Sequence, residues 1–434
     1  MYLPLRWVFN MMSIVQFVWC GAAVHRGRPP PPSYDQSFLG IDRQNSLHLK
    51  ETYNNRPIIG ILAQELTENV MPLRHVAKTL TLANLGSRFS LYMSHPSLND
   101  KQVRWERITQ QDASSLLVPA SNSITPDDAQ DNIHQNAAQL QNQSATIVTE
   151  QSQPVIARVL NGNATYIASS YVKFVEAAGV RVVPILINQN QEYYEKLLKL
   201  VNGVLFPGGA VPIDNTSGFG RAGKIIYDLA VAMNAAGDHF PLWGTCLGFE
   251  LLTGLAAEGK EIRTHCEAQN RADRLKMDKH YKKGRLFQHI PNHLLKALTT
   301  LPLTANFHHY CLTPKNFSSS GLSKVFRPLA YSFDADNLRY VAAAEAKHAP
   351  FFAVQFHPEK SPWEWVTAVG HNAIPHKAVA VEAALYFAQV LGHHARKNTH
   401  RYENTSDEIS SLIYNYIPIY TGAKGSSLEQ IYIF

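Results

Sequence analysis

The chain is poor in cysteine, poor in charge and poor in long apolar runs, and each shortage excludes something. Four cysteines in 434 residues are too few for a scaffold framed by disulfides. Charged residues make up 17%, and the formal net charge of +6 is spread without any Lys/Arg block. That leaves no electrostatic footprint for a nucleic-acid partner. Beyond residue 24 no stretch is long and apolar enough to cross a bilayer. There is no internal repeat. Metal ligands do not recur at zinc spacing, and the pair His393-His394 falls at the end of a helical stretch, where attraction to the helix dipole accounts for it. The run Gly218 to Gly223 matches GxGxxG but follows a loop, whereas a dinucleotide site needs a strand first. Neither metal nor cofactor is expected.

What the chain does have is apolar content, 45% of its residues, ample for a sizeable core. Arg6 precedes an apolar stretch from Trp7 to Trp19, and Gly21, Ala22 and Ala23 follow. This is the layout of a secretory signal peptide over residues 1–24. An uncleaved anchor is the alternative, but Asn10 and Gln16 interrupt the run. Once the signal is removed, no membrane contact is expected. Residues 25–55 are polar and proline-rich and read as a linker. Five N-x-S/T sequons, at Asn142, Asn163, Asn215, Asn316 and Asn404, then acquire meaning, because lumenal chains are the ones glycosylated. The expectation is a glycoprotein of the secretory pathway, lysosomal or extracellular. Cys20 leaves with the signal, and Cys246, Cys266 and Cys311 remain. Either Cys266 pairs with Cys311 and Cys246 stays free, or all three are buried and reduced.

The stretch "RPIIGILAQ" reads as a buried strand. The stretch from about residue 68 to 161 does not fit the rest, and its second half, "ASNSITPDDAQDNIHQNAAQLQNQSATIVTEQSQ", is Gln/Asn/Ser-rich with almost no aromatics, predicting disorder or a long surface insertion. After that the pattern is regular. "ATYIASSYVKFVEAAG" has helical spacing and stops at Gly179. Strands "VRVVPILI", "GVLF", "FPLWG" and "PFFAVQFHPE" alternate with helices, ending in the long "PHKAVAVEAALYFAQVLGHHAR". Such alternation predicts an α/β fold, a doubly wound and mostly parallel sheet with helices on both faces.

In that architecture chemistry collects at the C-terminal ends of the strands. "FPLWGTCLGFE" sets Cys246 between Gly244 and Gly248, the spacing of a nucleophile elbow on a strand-to-helix turn. The bland alternative is a buried cysteine at a glycine turn. The helix that follows aims its first amides at the sulfur, favouring thiolate, and the Leu247 amide is placed to receive an oxyanion. A second strand end, "VQFHPE", offers His357 as a base and Glu359 as its orienting carboxylate. A third, "VLFPGGA", leaves Gly209 N–H as a second oxyanion donor. Glu250 lies one helical turn past Cys246. It either holds a substrate amino group or is a solvated first-turn glutamate.

These motifs, with "PIIGILAQE", "YIASSYVKFVEAAGVRVVPI", "LTANFHHY", "HPEKSPWEW" and "HARKNTHRY", resemble the class I glutamine amidotransferase-like hydrolases, and within them the gamma-glutamyl hydrolase family. The likeness covers residues 56–66 and 162–434, so the domain is taken as 56–396 with 397–434 as a C-terminal extension packed on it. The stretch 68–161 departs from the family. The resemblance implies a flavodoxin-like fold and cysteine-type cleavage of γ-glutamyl bonds in folate poly-γ-glutamate, with Cys246 as nucleophile, His357 as general base and acid, and Glu359 in the carboxylate position. It ties His308 to activity or substrate binding and implies a homodimer. An ion pair between Cys246 and His357 is expected to keep the thiol competent in an acidic compartment. Two other functions fit the same motifs: a glutamine or other γ-glutamyl amidase, and a non-catalytic glycoprotein of this fold.

Overall fold

The structure is a computed structural model that describes residues 53–67, 164–365, 370–422 and 426–434. The signal peptide, nearly all of the linker, the stretch 68–161 and the sequons at Asn142 and Asn163 lie outside the described residues. All of those described belong to one unit, Lys50–Phe434.

In chain order, β1 (Ile58–Leu62), β2 (Gln64–Glu65) and β3 (Thr165–Ala168) lead into α1 (Ser169–Glu176) and β4 (Arg181–Ile185). Then come α2 (Gln191–Leu198), β5 (Val204–Phe206), α3 (Gly218–Ala235), β6 (Leu242–Thr245) and α4 (Leu247–Ala256). An antiparallel part follows with β7 (Thr264–Asp273), β8 (Lys276–Met277), α5 (Asn292–Thr300), β9 (Thr304–Cys311), α6 (Pro314–Ser319), β10 (Phe326–Phe333) and β11 (Arg339–Ala346). Last are β12 (Phe351–Val354), α7 (Lys360–Trp363), α8 (Ala378–Arg396), α9 (Thr405–Ser411), β13 (Ile419–Tyr420) and β14 (Gln430–Ile433).

The main sheet has eight strands in the order β4-β1-β5-β6-β12-β11-β10-β8. From β4 to β12 every pairing is parallel, and from β12 to β8 every pairing is antiparallel. Burial on both faces explains why β1 reads as a continuous apolar run. Ile59 and Ile61 join the core on one face, while Ile58 and Leu62 join the core on the other. On the first side α1 and α8 supply Phe174, Phe387 and Leu391 around Trp243. Trp243 packs against the rings of Phe174 at 5.8 Å and Phe352 at 6.2 Å. On the second side α3 and α4 supply Phe219, Ile226, Phe249 and Leu252. The doubly wound parallel arrangement read from the sequence is therefore present, with an antiparallel wing.

Two details differ from the sequence reading. The helical span expected from Ala164 begins only at Ser169, because Thr165–Ala168 forms β3 and pairs with both β2 and β14. Its stop at Gly179 holds, with φ at 67°. The second is the two-stranded sheet of β7 and β9, which the residue pattern did not disclose. The sulfurs of Cys266 and Cys311 are bonded across it, leaving Cys246 as the free, buried thiol among the described cysteines. Among the described residues no helix is long and apolar enough to cross a membrane.

Candidate active site

Three neighbouring parallel strands, β5, β6 and β12, end side by side, and each delivers one part of the site. β6 runs out at Thr245, and Cys246 takes φ 52°, ψ −106° before α4 begins. A side chain at positive φ is strained, and neighbouring elements hold it there. Cys246 N–H donates to Val354 O of β12 at 2.9 Å. Both flanking glycines are obligatory for close approach. A Cβ on Gly244 would stand 2.4 Å from Gly248 O, and one on Gly248 would stand 2.0 Å from Phe206 O at the end of β5. The elbow is thus packed between two strand ends, and the sulfur lies at the N-terminus of α4.

After β5, Gly208 fills the gap between the nucleophile candidate and the base candidate. A Cβ there would stand 2.6 Å from His357 Cε1, 2.7 Å from Tyr171 Oη and 3.2 Å from Cys246 Cβ. Cys246 and His357 therefore flank one glycine. Gly208 N–H donates to Tyr171 Oη at 2.7 Å, and Gly208 O accepts from Gln64 Nε2 at 2.6 Å. These two bonds fix the turn and commit the Gly208 amide, so the next amide, of Gly209, is the turn's candidate oxyanion donor. Gly209 has no room for a side chain either, since Gln64 Oε1 would lie 1.7 Å from its Cβ.

Past β12, His357 N–H donates to Ala305 O of β9 at 2.8 Å, which locks the backbone under the ring. Glu359 follows at the proline turn, and its Oε1 lies 2.6 Å from His357 Nδ1. Tyr171 Oη approaches the same nitrogen at 3.3 Å. With Nδ1 engaged by a carboxylate, the ring proton belongs on that side and Nε2 is left to accept one. Burial lowers the His357 pKa, and the Glu359 charge opposes that fall. Burial raises the Cys246 thiol, with the charges of Glu250 and Glu359 adding to the rise, while the Leu247 amide and Lys360 pull it down. Burial thus opposes charge on both groups, while the Leu247 amide and Lys360 on the sulfur and Glu359 on the ring favour it.

Glu250 is 6% exposed and so is not the solvated first-turn glutamate of the alternative reading. Its Oε2 meets Arg263 Nη1 at 3.2 Å, its Oε1 accepts from Gln355 Nε2 at 3.4 Å, and burial raises its pKa to about 7. His308 sits on β9 with Nδ1 on Tyr310 O at 2.9 Å and 3.7 Å from each disulfide sulfur. Burial lowers its pKa to about 3. It is thus placed against the disulfide, whereas Cys246, Leu247, Gly209, His357 and Glu359 come together at the strand ends. Among the sequons, Asn215 and Asn404 are exposed. Asn316 is half-buried and spends its Nδ2 on Ile262 O and Thr264 Oγ1, the atom a glycan would need. Two residues of the site, Tyr171 and Gln64, were not singled out from the sequence. Tyr171 reads as one more apolar position of a helix, and Gln64 as the polar end of a strand.

A family model described as Peptidase C26 matches residues 146–359. The gamma-glutamyl hydrolase of Bos taurus is 42% identical over 269 residues, which is 62% of this chain and 83% of that protein. The gamma-glutamyl hydrolase of Homo sapiens is 42% identical over 270 residues, with the same coverage of 62% and 83%. Gamma-glutamyl hydrolase 1 of Arabidopsis thaliana is 40% identical over 275 residues, 63% of this chain and 76% of the relative. Among solved structures, a glutamine amido transferase from Methylobacillus flagellatus aligns with a TM-score of 0.35 at 12% identity, covering 55% of this chain and 93% of that one.

Proposed function

Since the chain belongs to the gamma-glutamyl hydrolase family and is a γ-glutamyl cysteine peptidase, we propose that Cys246 is its nucleophile and folate poly-γ-glutamate its substrate. What carries the reading is Cys246 itself, held at positive φ on the elbow with His357 across Gly208. Sulfur attacks the γ-carbonyl carbon while its proton passes to His357 Nε2. The oxyanion is received by the amides of Leu247 and Gly209. The C–N bond breaks as His357 returns the proton to the departing amine, which leaves a γ-glutamyl thioester. Water then attacks the thioester, giving its proton to His357, and the thiol is restored as that proton returns to sulfur. Glu359 keeps Nδ1 protonated and the ring aligned throughout. Glu250 is the proposed partner of the substrate's α-nitrogen, and His308 supports the site from behind through β9. The cell is expected to handle the protein in the secretory route, to an acidic organelle or the medium, as the paired Cys266 and Cys311 and the exposed Asn215 and Asn404 favour.

The test is hydrolysis of a pteroyl poly-γ-glutamate at mildly acidic pH by protein recovered from the medium or an organelle fraction. Wild type runs beside Cys246→Ala, with products resolved by chain length. Shortened chains from wild type, and a rate lower by about four orders of magnitude or more in a folded Cys246→Ala, are expected. Turnover of glutamine but not of the polyglutamate would move the substrate to simple γ-amides, and equal rates in the two proteins would remove Cys246 from the chemistry.

A further inference from the structure

A γ-glutamyl group carries a free α-carboxylate, and a poly-γ-glutamate chain repeats that charge at every residue. A site for such a chain is served by a fixed cation close to the nucleophile. Among the described residues two cationic side chains lie there. Arg263 reaches Glu250 at 3.2 Å, but Glu261 holds its guanidinium at 2.6 Å, and it lies 5.0 Å over the Tyr310 ring. Its charge is already matched.

Lys360 is different. It directly follows Glu359 and is 5% exposed. Its Nζ lies 5.2 Å over the ring of Phe307, which stands edge-to-face with His357 at 6.1 Å. Among the described residues no carboxylate oxygen comes within 4.0 Å of that ammonium and none hydrogen-bonds to it. A ring face attracts a cation but does not neutralise it, and buried Glu364, one helical turn on, feels the Lys360 charge without closing a direct ion pair with it, so the ammonium is still available to an anion. Through Phe307 the ammonium is set on the His357 side of the site, and its charge acts on both Cys246 and His357.

Resting on the γ-glutamyl peptidase reading, we propose that Lys360 receives the α-carboxylate of the glutamyl residue whose carbonyl Cys246 attacks. Lys360 is then a specificity residue, separating γ-glutamyl groups from acyl groups of the same length that lack the carboxylate.

The experiment compares a γ-glutamyl anilide with its 4-aminobutanoyl counterpart, identical but for the α-carboxylate, on wild type, Lys360→Met and Lys360→Arg. Methionine keeps the apolar stem and removes the charge. Wild type should prefer the γ-glutamyl compound by about 10- to 100-fold in kcat/KM, the range of a charge-assisted hydrogen bond. Lys360→Met should lose that preference, slowing the γ-glutamyl compound by about 10- to 100-fold more than the analogue and chiefly through KM, while Lys360→Arg should regain part of the preference. Competitive inhibition by glutamate and by 4-aminobutanoate gives the same comparison without turnover, and only glutamate should weaken in Lys360→Met. A Lys360→Met that slows both substrates alike would show that the ammonium merely tunes Cys246 and His357, and would overturn the proposal. So would an unchanged preference. Both of those leave the peptidase reading standing. A wild type that cleaves no γ-glutamyl bond would instead bring down that reading and the proposal with it.

Discussion

At the residue scale, His357 is subject to two opposed effects. Burial drives its imidazole toward the neutral form, and the Glu359 carboxylate 2.6 Å from Nδ1 restrains that drive. A general base works only when neutral, so kcat/KM rises as pH climbs through its pKa. Because the ring is held below its ordinary value, that acid limb lies on the acidic side of the usual histidine range. Replacing Glu359 by Gln removes the charge that props the pKa up, so the limb moves to still lower pH. The plateau rate falls about 10- to 1,000-fold, since tautomer and ring orientation are no longer enforced. A pH–rate profile of Glu359→Gln checks both, and a limb that stays put or moves upward would argue against Glu359 as the partner that sets the ring. The sequence made the residue types of this site legible, because an elbow needs small residues around Cys246 and a strand end needs a stop after His357. It could not make the protonation state legible. Burial decides that, and the depth of Cys246 and Glu250 depends on contacts from Val354, Gln355 and Arg263 that are remote in the chain.

At the element scale, β7 and β9 are the part that sequence reading missed. "THCEAQNRAD" alternates irregularly between exposed and buried positions, and two register shifts interrupt the pairing, so no clean period-two signal exists. Nor could the odd cysteine count choose between a bond and three thiols. The hairpin matters because β9 accepts the His357 amide at Ala305 and presents Phe307 to the ring. The bond between Cys266 and Cys311 closes a separation of 45 residues. A closure of that size is worth about 2–4 kcal/mol, mostly through the unfolded chain. The double variant Cys266→Ser, Cys311→Ser should therefore unfold at lower denaturant by about that margin while keeping its turnover where it remains folded. Denaturant titration beside an activity assay measures both. Loss of turnover with stability unchanged would mean that the bond positions His308 and β9 for chemistry rather than fastening them.

At the scale of the whole molecule, the alternation of strands and helices told that the sheet would be parallel and wound on both faces, but not which strands would be neighbours. The order β5-β6-β12 is what gathers Gly209, Cys246 and His357, and β12 reaches its place only after the chain has built the antiparallel wing. Strand order is set by packing of α1 and α8 on one face and α3 and α4 on the other, which no local pattern encodes. The same scale governs the departure at residues 68–161. Glu65 pairs with Thr165, and Leu66 N–H donates to Ala164 O at 3.0 Å. The described residues that flank the stretch are thus backbone neighbours. Replacing 68–163 by a short turn should leave kcat/KM within about two-fold and should not lower the melting temperature, since Leu66 and Ala164 are already hydrogen-bonded neighbours. A folded but inactive product would assign the stretch a share in the site.

That juxtaposition of Leu66 and Ala164 has an evolutionary meaning as well. Two backbone positions joined by a hydrogen bond act as a seam, and a seam lets one side of a gene change while the other stays under selection. Length and composition of what is joined there can change so long as Gln64 and Glu65, just before the seam, keep their bonds to Gly208 and Gly218. The same seam offers an engineer a place to graft a reporter or a targeting module without touching the catalyst.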